Sequence, residues 1–82
     1  MPRSRRSRYA DEYRRMLALL CAERESAGIT QSELARKLGT SQSMLSKLER
    51  GVVRLDLIDL LAYLGGVGSD PVTFVKSFVR RR

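Results

Sequence analysis

Residues 30–51 read TQSELARKLGTSQSMLSKLERG, and this stretch encodes two short helices separated by a break. Thr30 carries the side-chain oxygen that a helix start requires, and Glu33, three residues on, can return the bond to complete a capping box. Leu34, Ala35 and Leu38 follow on one face, and Gly39 offers the left-handed conformation that ends a helix. The spacing therefore predicts a helix over about 31–38. Ser41 caps again at once. Met44, Leu45 and Leu48 mark a second apolar face and Gly51 closes it, which predicts the next helix over about 42–50. Gly39-Thr40-Ser41 is too brief a joint to reverse the chain. The two helices are expected to cross steeply, with Ala35 small enough to permit close approach.

Working outward, Tyr9, Tyr13, Met16, Leu17, Leu20 and Ala27 return at helical steps, and Gly28 again favours a stop, so a first helix is predicted over about 8–27. Beyond Gly51, an extended Val52-Val53-Arg54 leads to a helix over about 55–64, with Leu57, Ile58, Leu61 and Leu64 expected inward. Gly65-Gly66-Val67-Gly68-Ser69 reads as a flexible link. Asp70 as cap and Pro71 at the first helical position start a last helix over about 71–79. Its apolar residues Val72, Phe74, Val75, Phe78 and Val79 nearly encircle it, more than one face of a small monomer can bury. No segment alternates apolar and polar residues in the manner of a strand. The fold class read from the chain is all-α, with five helices.

Eighty-two residues make one domain. Apolar residues are 43% and charged residues 30%, the composition of an ordinary globular domain. The organisation expected is a basic flexible arm over 1–8, a helical domain over 9–79 and a basic tail over 80–82. A lone Cys21 rules out an internal disulfide and reads as a packing residue rather than a redox sensor. No apolar run approaches the length of a membrane span, and the basic opening MPRSRRSRY has no apolar stretch behind it. Histidine is absent, which removes the commonest general base and metal ligand. The carboxylates are scattered, and Gly65, Gly66 and Gly68 lack the preceding strand of a phosphate loop. No enzyme, no cofactor and no metal site is expected.

Net charge is +7 and unevenly placed. Residues 1–15 hold six arginines against Asp11 and Glu12, and 76–82 hold Lys76, Arg80, Arg81 and Arg82, so each end carries +4. Within the near-neutral body, 36–54 is locally +4 as well, from Arg36, Lys37, Lys47, Arg50 and Arg54 against Glu49. This pattern suits a polyanion such as nucleic acid. The basic ends serve equally to keep a small protein in solution, and the opening arm either embraces DNA or is idle.

The segment Thr30–Gly51 resembles the helix-turn-helix of the Cro and phage-repressor type, the XRE family. The likeness is carried by Gln31 opening one helix, Leu34-Ala35 within it, Gly39 in the turn, Gln42-Ser43 opening the next helix and Glu49-Arg50-Gly51 closing it. The resemblance implies a lambda-repressor-like five-helix bundle whose second motif helix lies in the major groove. The solvent side of that helix is Gln42, Ser43, Ser46, Lys47 and Arg50, where Gln can bond adenine N6 and N7 and Lys can reach guanine O6 and N7. Gln31 resembles the glutamine that bonds a phosphate and braces the reading glutamine, here Gln42. Arg50 stands where phage repressors commonly carry Asn. Glu49 resembles an acidic residue that pairs with an arginine of the first helix, here Arg24. The candidate DNA contacts are thus Gln31, Ser41, Gln42, Ser43, Ser46, Lys47, Arg50 and Arg54, the last two toward phosphates.

Two functions from different classes follow. One is a sequence-specific, cytoplasmic and nucleoid-associated regulator, a repressor that binds double-stranded palindromic DNA as a homodimer through Phe74, Phe78 and Val79. The other is an antitoxin or protein-binding adaptor whose DNA binding serves autoregulation. A membrane-surface role is disfavoured, because the apolar face of the first helix is needed for the core and Glu12, Glu23 and Glu25 interrupt its charge.

Overall fold

The structure, a computed structural model, describes the backbone of residues 5–80 and the side chains of 9–80. Five helices follow one another: α1 (Arg5–Ser26), α2 (Gln31–Leu38), α3 (Gln42–Glu49), α4 (Leu57–Val67) and α5 (Pro71–Arg80). No strand occurs among the described residues. α1 begins at Arg5, earlier than its apolar periodicity indicates. Of the expected arm, residues 1–4 lie outside the described residues, as do 81–82 of the tail.

The local signals around α2 and α3 operate as their chemistry dictates. Thr30 Oγ1 accepts from Glu33 N at 3.1 Å, and Thr30 N donates to Glu33 Oε1 at 2.9 Å. Gly39 closes α2 at φ 71°, and Ser41 Oγ accepts from Met44 N at 3.0 Å to open α3. Asp70 Oδ2 accepts from Thr73 N at 2.9 Å and so starts α5.

Buried apolar side chains from every helix meet in one core: Leu17 and Leu20 of α1, Leu34 and Ala35 of α2, Leu45 of α3, Leu60, Tyr63, Leu64 and Val67 of α4, and Phe74 of α5, with Leu55 beside them. α2 packs on both α3 and α4, and α1 on both α3 and α4. Arg15 binds the end of α5 to α1. Its Nη2 donates to the Phe78 carbonyl at 2.9 Å, and the guanidinium lies 3.9 Å from the Phe78 ring centre.

The second half of the chain departs from its sequence reading in several places. Val52 and Val53 are not extended, since both N–H groups donate back to Lys47 O. α4 starts at Leu57 because Asp56 and Asp59 form a reciprocal capping box. It then runs through Gly65 and Gly66, so the segment read as a flexible link is helical as far as Val67. Gly68, at φ 78°, is the true stop. Gly66 is where α4 touches α2, and a Cβ there would lie 2.5 Å from Leu34 Cδ1. The buried stripe of α4 is Leu60, Tyr63, Leu64 and Val67, whereas Leu57, Ile58 and Leu61 are exposed. Apolar residues surround α4 almost completely, so periodicity had no contrast from which to choose a face. Phe74, read as a dimer contact, is buried in the core, and Phe78 is half-buried beneath Arg15; Val79 remains exposed. Tyr9 and Met44, both assigned to apolar faces, are exposed too.

Candidate nucleic-acid interface

Glu49, the last residue of α3, organises the motif although its side chain retains only 6% exposure. Its Oε2 accepts from Arg24 Nε at 2.8 Å and from Tyr63 Oη at 2.7 Å. Its Oε1 accepts from Gln31 Nε2 at 2.8 Å and from Arg24 Nη2 at 3.2 Å. Gln31 Oε1 in turn accepts from Gln42 Nε2 at 2.7 Å. Arg24 is further tied to the Ile29 carbonyl at 2.9 Å. One network therefore runs from α1 and α4, through the end of α3, to the first residues of α2 and α3. It holds the two helix starts side by side, with Gln42 at its exposed tip.

Electrostatics keep this network in one protonation state. Burial alone would raise the Glu49 carboxyl, but the hydrogen bonds from Arg24, Tyr63 and Gln31 outweigh it and hold the group below the usual carboxylate range. Tyr63 is pushed up by burial and then by the carboxylate it faces, so its phenol keeps its proton. Cys21, beside the same carboxylate, is pushed up to about 11 by burial and then by Glu49. A thiol in that state is a poor nucleophile.

Around the tip, Ser43 and Lys47 are exposed on α3. Ser41 is occupied as a cap. Ser46 is half-buried and accepts from Arg50 Nε at 3.2 Å, so it steers the arginine one turn on. Arg50 and Arg54 line a notch of about 250 Å³ together with Arg14, Ala10, Tyr13, Leu17 and Gly51. Arg54 stacks 4.4 Å from the Tyr13 ring centre, while Tyr13 Oη accepts from Leu55 N at 2.7 Å and anchors the loop after α3 to α1. Among the described residues that line the notch there is no carboxylate, so its lining carries net positive charge. Arg14 went unrecognised in the sequence because only the packing of α1 brings it to Arg50 and Arg54. Tyr63 went unrecognised because a tyrosine in an apolar helix reads as core, which it also is.

Among the described residues no group of three His, Cys, Asp or Glu could hold a metal, and no helix is long and apolar enough to cross a membrane. What the surface does offer is hydrogen-bonding side chains at the start of α3 and guanidinium groups past its end, residue types suited to contact with a polyanion.

The same five-helix fold occurs in known proteins. No curated protein sequence matches the chain. An XRE-family like protein from Pseudomonas syringae pv. tomato is 37% identical, with a TM-score of 0.89 over 93% of each chain. The restriction-modification controller protein C.Esp1396I is 22% identical with a TM-score of 0.74, over 84% of this chain and 90% of that one. The clp gene regulator ClgR from C. glutamicum is 24% identical with a TM-score of 0.72, over 85% and 90%. The family model described as helix-turn-helix matches residues 22–72, which run from the end of α1 into the start of α5 and take in the whole glutamine–glutamate network. With that match across more than half its length, the chain belongs to the XRE-type helix-turn-helix family of DNA-binding regulators.

Proposed function

We propose that the chain is a sequence-specific transcriptional repressor that binds a palindromic operator as a homodimer. α3 enters the major groove and presents Gln42, Ser43 and Lys47 to base edges. Arg50 and Arg54, joined by Arg14, grip the phosphates, as does the start of α2 at Gln31, whose first N–H groups have no intrahelical acceptor. The observation that carries this reading is the Gln42–Gln31 bond at 2.7 Å, because it presents one reading side chain and one backbone-gripping side chain as a unit.

Selection of bound duplexes from a random pool tests the proposal. Enriched sequences should be palindromic, with half-sites about 34 Å apart. Gln42→Ala should cost about 1–3 kcal/mol on the selected duplex and flatten the preference at one base pair per half-site. Absence of any enriched sequence would overturn the reading.

A further inference from the structure

The bond between Gln31 and Gln42 has a direction, and Glu49 sets it. An ionised carboxylate can only accept, so Gln31 must turn its NH2 group to Glu49 Oε1, at 2.8 Å. That leaves the Gln31 carbonyl oxygen facing α3. This oxygen also only accepts, so Gln42 must turn its own NH2 group to it, at 2.7 Å. The two ways round for an amide have nearly the same shape, yet here only one completes the relay. Arg24 Nε and Tyr63 Oη, both donors, occupy Glu49 Oε2 and keep the carboxylate from turning away. One amide hydrogen of Gln42 is thereby consumed. Its carbonyl oxygen and second hydrogen stay available.

That remainder is selective. Adenine shows the major groove an acceptor at N7 and a donor at N6, which match one hydrogen and one carbonyl. Guanine shows two acceptors, N7 and O6. It would need both hydrogens of the Gln42 amide, and one of them is already given to Gln31.

Resting on the DNA-binding reading above, we propose that Glu49 is a positioning residue for base reading. Through Gln31 it fixes the amide of Gln42, so that α3 selects adenine over guanine at the base pair Gln42 meets. A neutral amide at position 49 can donate as well as accept, and it frees both glutamine amides to turn.

The test uses the full chain and the duplex recovered from a random pool. The relevant pair is the one at which Gln42→Ala flattens the preference. The wild type should favour adenine over guanine there by about tenfold or more. Glu49→Gln, with folding checked by a cooperative melt, should lower that ratio at least several-fold, whatever becomes of overall affinity. Preferences at the other pairs of the site should stay as they are, which a merely loosened fold would not achieve. Should Glu49→Gln fail to fold, Gln31→Leu removes the relay while leaving Arg24, Tyr63 and Glu49 in contact, and the same loss is expected. A folded variant of either kind that keeps the full adenine preference overturns the inference, as does a wild type that prefers guanine at that pair. A wild type that selects no duplex overturns the DNA-binding reading itself.

Discussion

Glu49 is nearly buried and is held by Arg24, Tyr63 and Gln31 together. Removing one partner of such a pair strands a charge, so Arg24→Ala should destabilise the fold by about 3 kcal/mol or more in denaturant unfolding at neutral pH. Its pH dependence has a definite sign. The folded carboxyl lies below its ordinary value, so the stability it contributes is complete above the unfolded value of about 4.3. That stability is lost as pH falls through the lower, folded value. Unfolding free energy of the wild type should therefore drop in that acid range. Arg24→Ala, with the main charged partner gone, should follow a flatter profile there, and parallel profiles would contradict the network.

At the scale of the element, two adjacent glycines in α4 should respond in opposite directions. Gly65 has nothing within 4 Å of where a Cβ would sit, and its φ is not positive. Gly65→Ala should then gain helix propensity, about 0.5–1 kcal/mol. At Gly66 a Cβ would lie 2.5 Å from Leu34 Cδ1 and 3.2 Å from Leu38 Cδ2, and Leu34 is fully buried. Gly66→Ala should lose more by overpacking than it gains in propensity, a net cost of about 1–2 kcal/mol. Thermal melts of the two variants, shifted apart in opposite senses, check the close approach of α4 to α2. From sequence the pair looked like one flexible link, because glycine's local preference is the same at both positions. What differs is the neighbour, and the neighbour comes from another helix.

For the molecule as a whole, the proposed homodimer requires a surface. Phe74 is committed to the core, so the apolar area left on the last two helices is Leu57, Ile58, Leu61, Val72, Val75 and Val79, all exposed. Leu61, Pro71, Val72 and Val75 line one shallow depression with Lys76. Exposed apolar side chains gathered in this way favour a self-complementary contact between two copies. A Leu61→Glu/Val75→Glu double variant should sediment as a monomer and lose operator affinity steeply while melting as a folded protein. A variant that stays dimeric would place the contact elsewhere. Phe74→Glu, by contrast, should fail through unfolding, since it buries a charge.

By itself, the sequence determined the helix boundaries of the motif and the types of residue it exposes. Capping is a matter of three or four consecutive residues, so Thr30 with Glu33, Gly39 and Ser41 could be read directly and lie where their chemistry requires. The local exchange between Asp56 and Asp59 was equally legible in principle, but the apolar run beside it drew the start of α4 two residues too early. Tertiary structure decided whatever depends on which helix lies against which. Such choices include the buried face of an almost wholly apolar α4, the helical state of Gly65 and Gly66, the fate of Phe74 and the meeting of Arg14 with Arg50 and Arg54. The same holds for the direction of the glutamine relay, because a carboxylate at the end of α3 can orient an amide at its beginning only once α1, α2 and α4 have been packed around it.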